Sequence, residues 1–209
     1  LGATGSVAAP DLSGFVSLAN ASIVVDEPGI AAAGLSARVD LAGSRITLTE
    51  LAGEVNGGTL TGSGTVTLGD GGVQDIDLQL STDNVAFDAP LELRSASDST
   101  VRINRRGDEF VVDGQVTIQE AGLTSDINLD TGLLAAMASP RSLDLTEKRN
   151  PLVERVRFNL TVDTATPVLV DNNLARAEVT ADLRVLGTPY EMGLSGRLSL
   201  LEGGEITLN

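Results

Sequence analysis

The side chains in this sequence that are able to do chemistry are almost all carboxylates and guanidinium groups. The 209 residues include 29 acidic and 14 basic ones, Lys148 is the one lysine, and histidine and cysteine are absent. The lack of histidine excludes a Ser-His-Asp triad, histidine acid–base catalysis and histidine metal sites. A Ser–Lys dyad would depend on Lys148, and without cysteine there is neither thiol chemistry nor a disulfide framework. We therefore predict no enzymatic activity, no metal site and no cofactor.

Three arginines lie close together in the stretch RINRRGDEF. One interpretation is that Arg102, Arg105 and Arg106 contact anionic headgroups at the mouth of a groove. The other is a charged hairpin tip in which Asp108 and Glu109 answer the arginines. The second interpretation is favoured, because a Gly-Asp turn between two alternating segments is a hairpin signal.

Two glycine-rich stretches resemble ligand-binding loops only superficially. GEVNGGTLTGSG has no lysine after its glycines, so it is not a phosphate-binding loop, and it predicts a hairpin turn with small residues where sheet faces approach closely. GDGGVQDID resembles a calcium-binding nonapeptide, but Gln74 replaces the second glycine and the unit is not repeated. Asp70, Asp75 and Asp77 are therefore expected to be solvent-facing carboxylates of a turn and a strand.

The net charge of −15 restricts the kinds of partner. It repels phosphate backbones and anionic membrane surfaces, so nucleic-acid binding is not expected. No run of residues is apolar for the length that a membrane span requires.

The elements that must position these side chains are predicted to be strands. In VQDIDLQLS, for example, Ile76, Leu78 and Leu80 alternate with polar residues, and the same period of two recurs along most of the chain. We expect about fifteen one-faced strands joined by short turns, and hence a long antiparallel meander. No long amphipathic helix is available to cover its apolar side. A groove-like sheet is therefore favoured over a two-sheet sandwich.

The alternation fails between Thr131 and Asn150, where we predict a mobile loop or a short helix. Both ends also look truncated. The chain begins at Leu1 without methionine, and it closes on LEGGEITLN, which has the pattern of an unpaired edge strand. We therefore interpret residues 1–209 as a single fragment of a longer protein.

The order of motifs from residue 12 to 209 resembles the C-terminal region of the TamB family. In the first half it comprises RITL, the GEVNGGTLTG hairpin and PLELR, and in the second half VLVDN, ADLRVLGT and LSGRLSLLEGG. The resemblance implies a β-taco, which is an elongated sheet folded lengthwise around an apolar groove. The family belongs with the AsmA-like, bridge-like lipid transfer proteins. It forms the inner-membrane-anchored subunit of the translocation and assembly module.

From this resemblance we expect a periplasmic protein whose intact form is anchored in the inner membrane and reaches the outer membrane. It would carry phospholipid acyl chains along the groove. Family members continue past the last strand to engage a TamA-like barrel, so Ile206 and Leu208 would pair with a further strand. Alternation and resemblance together predict these groove-lining residues: Leu78, Leu80, Val116, Ile118, Phe158, Leu160, Val162, Val179, Leu183, Val185, Leu194, Leu198 and Leu200.

Two other functions remain open at this point. The protein would act as a scaffold if a free strand edge held outer-membrane barrel or autotransporter client strands by β-augmentation. It would be a plain adhesin-like β-solenoid if the apolar stripe were a closed, dry core. Which lipid or client is bound, and in which oligomeric state, the sequence does not specify.

Overall fold

A computed structural model describes residues 2–5, 10–25, 29–69, 72–89, 93–124 and 153–206. These residues form thirteen strands and one 3-10 turn at Val153–Arg155. The strands are β1 Gly2–Gly5, β2 Pro10–Val25, β3 Ile30–Gly43, β4 Arg45–Val55, β5 Gly58–Gly69, β6 Gly72–Ala89, β7 Leu93–Arg106, β8 Glu109–Leu123, β9 Val156–Thr164, β10 Val168–Asp171, β11 Ala175–Gly187, β12 Met192–Leu200 and β13 Glu205–Ile206. The prediction of an all-β protein is confirmed.

All thirteen strands belong to one sheet. Strands β1 to β8 pair in chain order as antiparallel neighbours. Strands β9 and β10 follow one another along the outer side of β8, β11 pairs with both, and β12 and β13 share the far side of β11. The sheet is thus eleven strand positions wide, which corresponds to about 50 Å at a spacing of about 4.8 Å.

Two pairings depart from the predicted antiparallel meander, because both β9 and β10 run parallel to β8. Strand β9 runs parallel to β8, with Val156 opposite Phe110 and Thr164 opposite Ile118. The chain leaves β8 at Leu123 and returns beside the beginning of β8, so the next strand must run in the same direction. A parallel pair requires a connection of a dozen residues or more, and the chain has that length between the two strands. The predicted loop or helix over 131–150 lies outside the described residues.

The described part of the chain is a single layer. The strand pairs in extensive contact are hydrogen-bonded neighbours of the sheet. Its buried apolar residues are only five, namely Ala32, Leu35, Val85, Val111 and Ala177. A sandwich of two sheets would bury one whole face of each sheet. Within the described residues, one long sheet is therefore confirmed, and its folding into a groove stays a prediction.

The closing stretch of the chain pairs back onto the sheet. In β13, Ile206 lies opposite Ala175 and Glu205 opposite Arg176, both on β11. One edge of this strand is thus occupied, and its pairing with a further strand stays a prediction. Residues 207–209 lie outside the described part. No helix in that part has the length and apolar character needed to cross a bilayer.

Candidate functional site

The strand registers place the thirteen predicted groove residues on one face of the sheet. Directly paired residues of neighbouring strands point to the same side, so a chain of pairs traces one face. One such row crosses ten of the strands and contains only leucine, valine, alanine and glycine. It runs through Leu194, Val185, Leu160, Gly114, Val101, Leu80, Gly62, Leu51, Ala37 and Leu18. We call the side of the sheet that carries this row the apolar face.

None of the thirteen residues is buried. Ten are half-buried by their neighbours in the sheet. The other three, Leu194, Leu198 and Leu200, are 62–67% exposed because they lie on β12, which among the described strands has a neighbour on one side only. The apolar face is therefore available for contact with another apolar molecule. That this molecule is a lipid stays a prediction.

Sequence reasoning missed part of this face. Val101 and Ile103 of β7 and Val112 of β8 lie in the same rows as Leu80, Leu78 and Phe158. The signal was present in STVRINRR, where Val101 and Ile103 alternate with polar residues.

Two glycines on the apolar face, Gly62 and Gly64, lie against leucine side chains of an adjacent strand. A Cβ atom on Gly62 would lie 2.7 Å from Cδ2 of Leu80 and 3.2 Å from Cδ2 of Leu51. Gly64 has a φ of +154° and a similar neighbour in Leu78. The expectation that these glycines mark the close approach of two sheet faces was wrong. The leucines that approach them belong to the same sheet.

A line of β-bulges crosses the sheet obliquely. Each bulge adds a residue to one strand and bends that strand. The bulges of this line lie between Leu18 and Ala21 in β2, Ala33 and Ser36 in β3, Thr82 and Val85 in β6, and Ile118 and Glu120 in β8. Two further bulges, between Leu48 and Leu51 in β4 and between Val73 and Asp75 in β6, lie away from it, on the other side of the apolar row. The breaks between β9 and β10 and between β12 and β13 continue the line.

Residues with positive φ and buried residues gather along this line. Asn20, Gly34 and Asn84 have φ values of 53–60° within three of the bulges, a conformation that glycine and asparagine tolerate best. Leu35 and Val85, which are 6% and 1% exposed, lie within or directly beside two of them. The strongest burial on the apolar face thus follows the line along which the strands bend.

The opposite face is polar and carries the ion pairs. Arg102 donates from Nε and Nη2 to the two carboxylate oxygens of Asp77, at 2.7 and 2.5 Å. This hydrogen-bonded pair lowers the pKa of Asp77 below its ordinary value. Arg106 pairs with Asp113 at 2.8 Å. The pKa of Asp113 is lowered chiefly by a hydrogen bond from Asn159, and Arg106 adds a coulombic contribution.

The arginine-rich stretch is therefore a charged hairpin rather than a headgroup site. The turn at Gly107–Asp108 joins β7 to β8, and Arg105 pairs with Asp108 and with the carbonyl oxygens of Val73 and Gly107. The expected role of Glu109 was wrong in one respect. Although Glu109 lies directly opposite Arg106 in the hairpin, its carboxylate pairs with Arg157 of β9, at 2.9 Å.

Two clefts lie mainly on the polar face. One of about 370 Å³ is lined mostly by polar-face residues such as Thr61, Ser81 and Thr100. Another, of about 430 Å³, lies around the Asp77–Arg102 pair. No group of three or more carboxylates in the described residues is arranged to hold a metal ion. The arrangement thus offers one open apolar surface, backed by a charged and internally paired one.

Comparison with known proteins gives one match. The sequence model described as the TamB C-terminal domain matches residues 47–208, which is well over half of the chain. No curated protein and no solved structure matches the chain.

Proposed function

Since the chain belongs to the TamB family, we propose that its apolar face is the inner wall of a trough that carries phospholipid acyl chains between the inner and outer membranes. Family membership indicates a role in outer-membrane protein assembly or lipid transport, a place in the cell envelope and a TamA-like partner. The finer statements, namely lipid transfer, phospholipid as cargo and a periplasmic bridge, are our proposal.

The observation that carries the proposal is the apolar row across ten strands. An acyl chain in water costs about 0.8 kcal/mol per methylene, so a sixteen-carbon chain costs about 12 kcal/mol. The row carries an aliphatic side chain on eight of its ten strands, with Gly62 and Gly114 on the other two, so most of this cost is offset along the width of the sheet. An acyl chain that moves from strand to strand therefore stays in contact with aliphatic side chains.

The line of bulges supports a sheet that is folded lengthwise. Bulges bend strands, and this line runs in the direction in which the strands are stacked. Burial concentrates beside it, at Leu35 and Val85. A crease there would turn the apolar face inward and leave the ion pairs on the outside, in contact with water. The lipid headgroup would remain in water at the open side of the trough.

Site-specific photo-crosslinking tests the proposal. A photoreactive amino acid at Leu183 should label phospholipid, whereas the same group at Asp182 should not. The two positions are adjacent on β11 but point to opposite faces. A second matched pair is Val66 and Thr65 on β5. Equal labelling from both members of each pair would contradict the proposal.

The second candidate function is a scaffold for client strands, and the β12 edge favours it. Within the described residues β12 pairs only with β11, so its other edge presents unpaired backbone groups to an incoming strand. The variant Leu183→Asp separates the two functions. Lipid passage should be blocked by a charge inside the trough, whereas strand addition at β12 should persist. Client-strand assembly that continues normally in this variant after lipid passage is lost would favour the scaffold.

A further inference from the structure

A small polar island interrupts the apolar face. Thr82 of β6 and Ser99 of β7 are directly paired, and Ser97 lies two residues along β7 on the same side. Every other cross-strand partner of these three residues is aliphatic. The partners are Leu60, Val85, Val116 and Ile118. We call Thr82, Ser97 and Ser99 the hydroxyl cluster.

The hydroxyl cluster holds hydrogen-bonding capacity that the sheet does not use. The hydroxyl oxygens of Thr82 and Ser99 are 2.8 Å apart, so one donates to the other and one O–H remains free. Ser97 is only 6% exposed, yet its hydroxyl makes no hydrogen bond to a described residue. Among the described residues, Nδ2 of Asn172 is the fully buried side-chain atom without a hydrogen bond, so the Ser97 hydroxyl is open to a partner from outside the sheet. Strand formation does not explain Ser97, because serine is not among the residues that strands favour.

We propose that the hydroxyl cluster binds the ester carbonyl groups of an acyl lipid. This inference rests on the proposed function and narrows the cargo to ester-linked lipids. Two free O–H donors, one from the Thr82–Ser99 pair and one from Ser97, match two carbonyl acceptors. Ser97 and Ser99 are two residues apart on one strand, which separates them by about 6–7 Å. A lipid with two ester linkages has acceptors to offer to both.

The surroundings distinguish an ester from other acceptors. A phosphate group would call for cationic donors, but Arg102 and Arg106 belong to ion pairs on the opposite face. A peptide would bring further backbone groups, and these would be left unpaired against the aliphatic partners of the cluster. An ester lipid brings just its carbonyl groups, followed by hydrocarbon that the neighbouring rows accommodate.

A pair of matched lipids tests the ester site. The full chain would be offered equal amounts of a diacyl ester phospholipid and its dialkyl ether analogue, and the bound ratio would be read by native mass spectrometry. The two lipids share headgroup and chain length and differ in the carbonyl groups. We expect the wild-type chain to prefer the ester by roughly three- to tenfold, which is the range for one hydrogen bond.

Three near-isosteric substitutions should remove this preference. In the combined variant Thr82→Val, Ser97→Ala and Ser99→Ala, the ester-to-ether ratio should fall to about one, while total lipid binding persists. The control variant Thr61→Val and Ser81→Ala changes a paired couple of hydroxyl residues on the polar face and should keep the wild-type ratio. Circular dichroism checks that each variant keeps its β-structure. The single variant Ser97→Ala replaces only an unpaired hydroxyl and should fold even if the combined variant does not.

Three results would overturn the inference in distinguishable ways. Equal binding of the two lipids by the wild-type chain, or an ester preference that survives in the combined variant, would remove the ester site and leave the trough intact. Failure of the wild-type chain to bind either lipid would overturn the proposed function, and the ester site with it.

Discussion

The side chain of Leu80 on β6 lies over Gly62 on the neighbouring strand β5. Its Cδ2 atom lies 2.7 Å from the place that a Cβ atom on Gly62 would occupy. The variant Gly62→Ala must therefore displace Leu80, Leu51 or the adjoining backbone. We expect the free energy of unfolding to fall by about 1–3 kcal/mol, the usual cost of overpacking. Urea denaturation followed by circular dichroism measures this change.

Gly122 of β8 is the matched control for this prediction. The nearest atom to a Cβ atom there would be the carbonyl oxygen of Leu169, at 3.9 Å, and its φ is not in the left-handed region. Gly122→Ala should leave the free energy of unfolding unchanged or slightly raised, because alanine restricts the unfolded chain. If both variants lose the same stability, the leucine cover is not the reason for the glycine.

Asn56 ties together strands that are not neighbours. In the tip of the β4–β5 hairpin, its Oδ1 accepts a hydrogen bond from the Ala31 N–H at 2.7 Å, and its Nδ2 donates to the carbonyl oxygens of Gly29 and Ala86 at 3.0 and 2.9 Å. Asn56→Ala removes all three bonds and places alanine at a φ of 46°. We expect a loss of about 2–4 kcal/mol in the free energy of unfolding.

Two other substitutions separate the bonds from the backbone conformation. Asn20→Ala also places alanine at a positive φ, of 54°, and should cost about 1–2 kcal/mol. Asn56→Gly relieves the backbone but leaves Gly29, Ala31 and Ala86 without their partner, so it should remain markedly destabilised. A glycine variant as stable as the wild type would show that the side-chain bonds contribute little.

The ion pairs of the polar face predict a loss of stability in acid. Folding lowers the pKa of Asp77, through Arg102, and that of Asp113, through Asn159, below the ordinary 3.8. The stabilisation is therefore fully present above the pKa of the unfolded chain and is lost as the pH falls through the lower pKa of the folded chain. The urea midpoint should decrease as the pH is lowered from about 5 to about 2.5.

The double variant Asp77→Asn and Asp113→Asn tests the origin of this acid sensitivity. With both carboxylates replaced by amides, the urea midpoint should be lower than that of the wild type at pH 7. It should also change less on acidification. The account of the polar face fails if the two midpoint curves run parallel throughout this range.

Much of the fold followed from the period of two in the sequence. Leu78, Leu160 and Leu183 were assigned to one side because each alternates with polar residues, and in a strand every second side chain points the same way. The registers bring these residues to one face of one sheet. Turn residues such as Asn56–Gly57 likewise marked the hairpin correctly.

Other features depend on contacts that a single sequence does not display. The parallel pairing of β8 with β9 depends on where the chain re-enters the sheet, and no local pattern at Val156 encodes it. The bulges depend on how neighbouring strands with different numbers of residues pair with each other. Asn84 signals one of them only through its tolerance of positive φ. The hydroxyl cluster is not evident from the sequence, because the β7 serines are unusual only in having Val116 and Ile118 as their partners on β8.

Native mass spectrometry of the full chain, purified from the bacterial envelope without added detergent, tests the open apolar face most directly. We predict lipid adducts on the wild-type protein and on Ser195→Asp, and clearly fewer of them on Leu194→Asp. The two positions are adjacent on the exposed strand β12 and lie on opposite faces, so neither substitution disturbs a core. A wild-type protein without adducts, or equal adducts on both variants, would contradict a lipid-carrying apolar face.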